Sequence, residues 1–322
     1  MIPVFSIDEL SVSFTQRRST IPAVRKVSLD VKERECIGIV GESGSGKTQI
    51  FMAAMGLLDG NSAVDGRVRF QGEDILRLPP PKLNRIRGSQ LTMIFQDPMT
   101  SLTPHLTIGA QLAEVLVCHE HKSWSEARIA ARRMLERVRV PEPKRRLDQF
   151  PHELSGGLRQ RVMIGMSLMC GPALVIADEP TTALDVTVQA QIMDLLRAMR
   201  EEVGMALVLI SHDLAVVAGL ADRILVMYAG RIVESGAALE LLQHAQHPYT
   251  AELLKCVPNV SGPRLQRLPT LPGQPPQPGD SEEGCAFAPR CPRAAARCRA
   301  ERPELHEGQS RTQVACHYPI SQ

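Results

Sequence analysis

Short, largely apolar runs of four or five residues recur along the chain, and turn-forming or charged residues follow each of them. They occupy residues 36–40, 91–95, 174–177 and 206–210. Runs of this length are typical of strands that are buried on both faces of a sheet. Residues 5–14 and 23–31 alternate apolar and polar positions instead, which predicts two strands with one exposed face. A hairpin is predicted over residues 224–236.

Helical patterns separate these strands. Apolar residues recur at helical spacing over 107–140, where Ser123 or Ser125 is expected to cap a second helix. Residues 49–55 contain no helix breaker, and a short helix is predicted over 82–87, after a loop of three prolines. Buried strands mixed with amphipathic helices are typical of an α/β protein.

The strand over 36–40 and the helix over 49–55 are joined by the octapeptide GESGSGKT, residues 41–48. A strand, a glycine-rich loop and a helix in this order form the context that a phosphate-binding loop requires. Glycines let backbone N–H groups turn towards phosphate oxygens, and the helix N-terminus adds partial positive charge. We expect Lys47 to reach the β- and γ-phosphates and the Thr48 hydroxyl to bind Mg²⁺. The predicted nucleotide-binding residues of this loop are Gly41, Ser43, Gly44, Ser45, Gly46, Lys47 and Thr48.

Polar residues end the other buried strands. Asp178 and Glu179 follow the run at 174–177. A buried strand that ends in two acids predicts a carboxylate that supports Mg²⁺ and a base that orients water. Gln96 and His212 end two more strands, at the sheet edge where α/β sites lie. Ordinary loop polarity is the alternative for Gln96, and a structural role is the alternative for His212.

A second helix start that suits an anion lies at Ser155, Gly156 and Gly157, ahead of an apparent helix that continues through residue 168. Ser155 is expected at the N-cap, and the two glycines expose backbone N–H groups. A plain capped helix is the alternative. Phe14, in the first predicted strand, either stacks on an adenine ring or is a half-buried strand aromatic.

Composition narrows the class of protein. The chain has 322 residues, of which 43% are hydrophobic and 22% charged, as in a globular protein with more than one domain or an appendage. A formal net charge of +2 and an aromatic content of 3% give no support to nucleic-acid binding. The sequence shows no signal-peptide pattern and no apolar run near the ~20 residues that span a bilayer. We therefore expect a soluble chain, and a cytoplasmic location if it uses ATP.

Four of the eight cysteines cluster near the end of the sequence, behind a proline-rich segment at residues 268–279. They are Cys285, Cys291, Cys298 and Cys316. In a cytosolic protein such a cluster favours a metal over disulfides. The spacings are too wide for a common zinc knuckle, whereas four thiolates with one following proline suit a 4Fe–4S cluster. A segment with so few core residues is also expected to need a metal to fold. Zinc, and free thiols or disulfides, are the alternatives.

In this order the motifs resemble those of the ATP-binding-cassette (ABC) ATPases over about residues 4–245. The resemblance implies that Lys47, Thr48 and the loop backbone are the Walker A elements, which bind ATP and Mg²⁺. It implies that Asp178 is the Walker B aspartate and Glu179 the general base.

The same resemblance implies roles for the remaining positions. Gln96 corresponds to the glutamine that contacts Mg²⁺ or the attacking water, and His212 to the histidine that contacts the γ-phosphate. Asp185 falls in the D-loop, and Phe14 matches an adenine-stacking aromatic that is usually tyrosine. Residues 155–157 match the family signature, which closes over ATP bound to a partner chain. The implied catalytic set is Lys47, Gln96, Glu179 and His212.

The implied architecture is an ABC-type P-loop nucleotide-binding domain at residues 1–250. It comprises a RecA-like core sheet, an antiparallel β subdomain and a helical subdomain at about 97–170. Residues 251–322 are expected to form a proline-rich linker and a small Cys-rich, metal-binding extension.

Three segments resemble, more specifically, the ATPases of dipeptide and oligopeptide importers. They are residues 96–104, 150–154 and 247–250, and the cysteine-bearing tail adds to them. The chain is most similar to the first of the two ATPase subunits of those importers. The implied function is ATP hydrolysis that energises peptide import through a separate pair of membrane permeases. Nickel and glutathione importers share the pattern and are the alternatives for the cargo.

The resemblance also implies partners: two permease subunits, a second ATPase, and a peptide-binding protein outside the membrane. A paralogue of this chain is expected as the second ATPase, and a second copy of this chain is the alternative. The expected location is peripheral, on the cytoplasmic face of the inner membrane, with residues 92–140 facing the permeases. A soluble ABC ATPase outside transport is a distant alternative, because such proteins usually fuse two cassettes or carry long coiled-coil insertions. A cassette that binds ATP without hydrolysing it is disfavoured, since Glu179 and His212 are both present.

Overall fold

The computed structural model describes residues 3–16, 19–97, 101–182, 184–256, 271, 273–274, 276, 283–308 and 312–320. The chain divides into two units, each of them built from three segments. The first unit comprises Met1–Phe5, Val31–Glu35 and Phe70–Leu209. The second unit comprises Ser6–Asp30, Cys36–Arg69 and Ile210–Gln322. Most of the predicted proline-rich segment, residues 268–279, lies outside the described residues.

The strands are β1 (Phe5–Gln16), β2 (Ser19–Val31), β3 (Cys36–Val40), β4 (Ser62–Phe70), β5 (Glu73–Asp74), β6 (Leu91–Ile94), β7 (Leu174–Asp178), β8 (Ala206–Ser211), β9 (Arg223–Tyr228), β10 (Arg231–Ala237), β11 (His306–Glu307) and β12 (Gln313–Val314). The helices are α1 (Lys47–Ala54), α2 (Pro80–Ile86), α3 (Ile108–Glu120), α4 (Trp124–Arg137), α5 (Pro143–Arg146), α6 (Gly156–Leu168), α7 (Val186–Val203), α8 (Leu214–Ala218), α9 (Ala238–Gln243), α10 (Pro248–Lys255) and α11 (Ala296–Ala300). Single turns of 3₁₀ helix lie at Ile75–Arg77 and Pro151–Glu153.

In the first unit, β6, β7 and β8 are neighbours in that order. β6 and β7 run parallel, with Leu91 opposite Leu174 and Ile94 opposite Ala177. Every residue of β6 and β7 is buried, as the continuous apolar runs predicted. The parallel register brings the carboxyl ends of these strands, and the polar residues that follow them, to one edge of the sheet.

The helical part of the first unit contains α3, α4 and α6, which pack against one another. The sequence between α3 and α4 predicted a cap at Ser123 or Ser125, and the structure selects Ser123. Its side chain and that of Glu126 form a reciprocal capping box at the start of α4. Across the described residues, no helix combines the length and the apolar character that a membrane span needs.

In the second unit, β3 runs parallel to β9, and β9 forms the predicted antiparallel hairpin with β10. β3 is completely buried. A second sheet places β1 between β2 and β4. The loop that follows β3 therefore leaves a fully buried strand and enters α1, the local arrangement that residues 36–55 predicted.

The C-terminal segment, described over residues 283–308 and 312–320, is attached to the rest of the second unit by strand pairing. β12 adds to the outer edge of β10, with Glu234 opposite Val314, and β11 pairs with β12. The buried carboxylate of Glu234 also accepts hydrogen bonds from the backbone N–H groups of Gln246 (2.6 Å) and His247 (3.1 Å). Burial raises the pKa of Glu234, and these donors partly oppose that shift. Strand pairing and buried polar contacts thus fix the segment that follows β10.

Candidate nucleotide-binding site

The phosphate loop lies in the second unit, between β3 and α1. Gly46 is the N-cap of α1 and has a φ of 94°, in the left-handed region that favours glycine. A Cβ atom at this position would lie 2.3 Å from the Ala23 carbonyl oxygen, so no larger residue fits without displacing the backbone. Gly44 also has a positive φ, 80°, and is exposed at the tip of the loop. Gly44 and Gly46 therefore allow the backbone conformation that a phosphate-binding loop requires.

Lys47 begins α1, and its ammonium group folds back over the loop. It donates hydrogen bonds to the carbonyl oxygens of Gly41 (2.7 Å) and Glu42 (2.9 Å), and to the Ser45 hydroxyl at 3.4 Å. The Lys47 side chain is buried, which concentrates its positive charge inside the loop. Thr48 follows in the first helical turn and is half-buried.

This set of groups fits MgATP. The loop offers backbone N–H groups, a helix N-terminus and an ammonium group to anionic phosphates, and a threonine hydroxyl to a hard cation. Gly41 adds a tight packing position, since a Cβ there would lie 2.2 Å from the Met227 carbonyl oxygen. The loop can therefore hold the triphosphate by charge and by shape.

The two acids predicted at the end of β7 lie in the first unit. Asp178 is the last residue of the strand and is buried, and Glu179 follows with a φ of 45°. A positive φ is uncommon outside glycine and is concentrated at functional sites. The Glu179 Oε2 atom accepts hydrogen bonds from the Gln96 side-chain amide at 3.0 Å and from the Thr182 hydroxyl at 2.8 Å. Two predicted site residues, Gln96 and Glu179, are thus brought into direct contact.

The predicted signature segment begins α6, with exposed Ser155 at the N-cap, as expected. The side chain of Ser155 makes no capping bond within this described helix start. A Cβ on Gly157 would lie 2.9 Å from Val188 Cγ1, so the signature helix packs closely on α7. Asp185 caps α7 by accepting a hydrogen bond from the Val188 N–H at 2.9 Å. The signature residues and Asp185 therefore meet around the first turn of α7.

Two further predicted residues lie in the second unit. His212 directly follows β8 and is exposed. The next residue, Asp213, caps α8 by accepting a hydrogen bond from the Ala215 N–H at 2.8 Å. Phe14 is half-buried on β1, which leaves part of its ring accessible.

The sequence did not predict that Arg290 and Tyr249, far from the phosphate loop along the chain, bind Glu42 in that loop. Arg290, in the C-terminal segment, forms a two-pronged ion pair with Glu42, and the Tyr249 hydroxyl accepts a hydrogen bond from the Glu42 N–H at 2.9 Å. Tyr249 lies within residues 247–250, a segment singled out only for its resemblance. Its near-complete burial, together with that of Arg290, is visible only in the folded chain.

The prediction of an iron–sulfur site is wrong, and zinc in its place is not supported. Among the residues that the structure describes, no group of three or more histidine, cysteine, aspartate or glutamate side chains is arranged to hold a metal ion. Cys285, Cys291, Cys298 and Cys316 do line one small cavity, and they form no disulfide. Burial raises the pKa of the Cys316 thiol to about 11, and raises those of Cys285 and Cys291.

The physical reason is that this segment takes its apolar core from the rest of the unit. Phe287 is 1% exposed, and its ring centroid lies 5.4 Å from those of Tyr228 and Tyr249. The expectation of a structural metal considered only the segment's own few apolar residues. Aromatic packing on Phe287 and the pairing of β12 with β10 hold the C-terminal segment in place, which is the role that the metal was expected to have.

The glycine-rich loop with its buried lysine, between a buried strand and a helix, is characteristic of P-loop nucleotide-binding proteins. Two family models match the chain: ABC transporter over residues 24–182, and the C-terminal region of oligopeptide/dipeptide transporters over residues 233–298. The oligopeptide transport ATP-binding protein OppD of Escherichia coli K12 is 46% identical over 99% of this chain and 94% of its own length. The dipeptide transport ATP-binding protein DppD of the same strain is 46% identical over 98% of this chain and 97% of its own.

Among solved structures, the dimeric post-hydrolysis state of the ATP-binding cassette MJ0796 bound to ADP and Pi matches with a TM-score of 0.66 and 28% identity. The match covers 73% of this chain and 98% of that one. The chain belongs to the ABC transporter family, among the ATP-binding subunits of oligopeptide and dipeptide transporters. It has the ABC ATPase fold and is an ATP-hydrolysing enzyme that uses ATP and Mg²⁺.

Proposed function

We propose that the chain hydrolyses ATP to drive the import of dipeptides or oligopeptides through a separate pair of membrane permeases. The proposal of ATP hydrolysis is supported by the contact between Gln96 and Glu179. The Glu179 carboxylate lies at the end of a buried strand and accepts hydrogen bonds from Gln96 and Thr182. The peptide cargo is supported by the names of the relatives that match almost the whole chain.

Each residue has a proposed task. MgATP, when bound, supplies the phosphoanhydride bond that is broken. The N–H groups of residues 41–48 and the Lys47 ammonium hold the phosphate oxygens and stabilise negative charge there. Thr48 and Gln96 would hold Mg²⁺ through their side-chain oxygens, with Asp178 in support, and the bound ion would supply positive charge to the phosphate oxygens. The fixed positions of these charges account for most of the expected rate enhancement.

Glu179 is the proposed general base. Its carboxylate orients the attacking water and accepts the proton that the water loses. His212 donates a hydrogen bond towards the γ-phosphate, and Phe14 stacks on the adenine ring. Gln96 and Thr182 hold the Glu179 carboxylate in one orientation through their hydrogen bonds.

The proposed assembly rests on the resemblance of the two glycine-rich segments to those of ABC ATPases. Ser155, Gly156 and Gly157 contact ATP that is bound to the phosphate loop of a second ATPase subunit, a paralogue of this chain. Asp185 lies beside that interface. Two permease subunits, a peptide-binding protein outside the membrane and a peripheral location on the cytoplasmic face of the inner membrane complete the proposal. The division into an ATPase domain at 1–250 and an extension at 251–322 stays a prediction.

Uptake of an isotope-labelled dipeptide tests the proposal in a strain from which the gene for this chain has been deleted. The wild-type gene is expected to restore uptake. A Glu179→Gln variant, expressed at the same level, is expected to fail because it binds ATP without hydrolysing it.

Two results would contradict the proposal. Restoration of nickel or glutathione uptake without peptide uptake would show that peptides are not the cargo. Full peptide uptake by the Glu179→Gln variant would overturn the assignment of the general base. Exposed Glu201, on α7, supplies the matched control, and its substitution by glutamine should leave uptake unchanged.

A further inference from the structure

Arg290 reaches from the C-terminal segment to the phosphate loop. Its two terminal guanidinium nitrogens bind the two carboxylate oxygens of Glu42, at 2.6 Å and 2.9 Å. The Arg290 side chain is 4% exposed and that of Glu42 is 24% exposed. A two-pronged, largely desolvated pair of this kind fixes both the distance and the orientation of the carboxylate.

The pair is itself held by aromatic side chains. The Tyr228 hydroxyl accepts a hydrogen bond from Arg290 at 3.2 Å, and the guanidinium lies 5.8 Å from the Tyr228 ring centroid. The Tyr249 hydroxyl accepts a hydrogen bond from the Glu42 N–H. Phe287, three residues before Arg290, packs against both tyrosines. The turn that carries Arg290 is thus anchored by the packing of Phe287 on both tyrosines.

Glu42 connects this anchor to the phosphate-binding lysine. Its backbone carbonyl accepts a hydrogen bond from Lys47 Nζ at 2.9 Å, while its carboxylate is bound by Arg290. A carboxylate in the phosphate loop would repel the polyphosphate of ATP. Arg290 compensates the charge of Glu42 and fixes its position.

We propose that Arg290 is a positioning residue for ATP binding, through which the C-terminal segment holds Glu42 and, with it, the Lys47 end of the phosphate loop. The inference rests on the proposed role of Lys47 in binding phosphate. It assigns the C-terminal segment a task within the nucleotide site that the ABC motifs do not include. Loss of the contact is expected to weaken ATP binding more than it slows the hydrolysis of bound ATP.

The test is a double-mutant cycle on the full-length chain, with MgATP affinity measured by titration calorimetry. Arg290→Gln is expected to weaken binding by about tenfold, the scale of one lost charge-assisted interaction. Glu42→Gln removes the charge that Arg290 compensates. If Arg290 acts through Glu42, adding Arg290→Gln to Glu42→Gln should change the affinity by less than about twofold.

Steady-state kinetics of the assembled transporter add a second readout. Arg290→Gln should raise the KM for ATP while kcat changes by less than about twofold. Arg290→Lys keeps the charge without the two-pronged geometry, so its effect should lie between those of wild type and Arg290→Gln. Arg297→Gln is the matched control, because Arg297 pairs with Glu301 at the exposed surface of the same segment. It should leave the affinity and the KM unchanged.

Wild-type affinity in Arg290→Gln, or an Arg290→Gln effect that persists in full alongside Glu42→Gln, would overturn the inference. The Lys47→Ala variant separates this failure from failure of the nucleotide site. If Lys47→Ala abolishes MgATP binding and Arg290→Gln does not weaken it, only the inference fails. If Lys47→Ala binds MgATP normally, the proposed nucleotide site fails as well. If Arg290→Gln does not fold, the test compares the MgATP affinities of Arg290→Lys and Glu42→Gln with that of the wild type.

Discussion

The side-chain amide of Gln96 donates a hydrogen bond to the Glu179 carboxylate at 3.0 Å. The two residues follow neighbouring parallel strands, β6 and β7, so the register of the sheet sets their distance. Glu179 adopts a positive φ at this point, and Thr182 binds the same carboxylate oxygen. The carboxylate is therefore held in place before any water molecule has to be oriented, which is what a preorganised general base requires.

This geometry makes Glu179→Gln an informative substitution. Glutamine keeps a carbonyl oxygen that can accept the hydrogen bonds from Gln96 and Thr182, but it cannot accept a proton. We expect the ATPase turnover of the assembled transporter to fall by about 10²–10⁴-fold, the usual contribution of a general base. Release of inorganic phosphate measures the turnover. MgATP affinity should stay near the wild-type value, and retention of turnover would show that another group is the base.

Gly46→Ala tests the backbone of the phosphate loop. The new Cβ would lie 2.3 Å from the Ala23 carbonyl oxygen, at a residue with a φ of 94°. Strain and steric displacement together are expected to cost about 2 kcal/mol or more of unfolding free energy and to weaken MgATP binding by at least about tenfold. Urea denaturation and titration calorimetry measure the two effects.

Gly60→Ala is the control for that substitution. Nothing lies within 4 Å of the Cβ position at Gly60, so the unfolding free energy should change by less than about 0.5 kcal/mol. Equal effects of the two substitutions would mean that the close approach to Ala23 does not determine the conformation of the loop.

The sequence predicted the buried strands well because parallel strands covered on both faces must be continuously apolar. β3 spans Cys36–Val40, as its apolar run predicted. The boundary of α2 was less accurate, since a helix from residue 82 was expected and the structure begins it at Pro80. Proline suits the first helical turn, where its missing N–H leaves no hydrogen bond unmade. A run of three prolines therefore does not exclude a helix start.

The contacts across the C-terminal segment could not be read from the sequence. Arg290 and Glu42 are separated by 248 positions, and no periodicity links them. Phe287 stands in a stretch with few other apolar residues, so its burial depends on partners elsewhere in the chain. The prediction of a metal site failed because these long-range contacts could not be read from the sequence. A segment that packs on the apolar core of neighbouring residues does not need a metal ion to hold it folded.

Phe287→Ala measures how much this shared core contributes. The ring is 1% exposed and packs against Tyr228 and Tyr249. Its removal is expected to lower the unfolding free energy by about 3–5 kcal/mol, the range for truncating a buried phenylalanine. Urea denaturation gives the value. Tyr318, an aromatic residue of the same segment that is 43% exposed, provides the control, and Tyr318→Ala should cost much less. A small loss in Phe287→Ala would mean that the segment is held mainly by strand pairing.

His247 predicts a pH dependence of stability. It is buried at the N-cap of α10, where its Nδ1 atom accepts a hydrogen bond from the Tyr249 N–H at 3.0 Å. Burial lowers its pKa to about 3. Below its ordinary pKa of about 6.5, the unfolded chain binds a proton that the folded chain does not. His247 therefore stabilises the folded chain above that pH, and the contribution is lost as the pH falls towards 3, at up to about 1.4 kcal/mol per pH unit.

His247→Asn isolates this contribution, because the asparagine oxygen can cap α10 and does not titrate. Urea denaturation at about pH 7.5, 6.5 and 5.5 should show the wild type losing roughly 1 kcal/mol more than the variant over the lower interval. His105→Asn, at an exposed position in the first unit, should keep the wild-type pH dependence. Parallel profiles for the wild type and His247→Asn would mean that His247 is protonated in the folded chain, in conflict with its burial between α10 and Phe287.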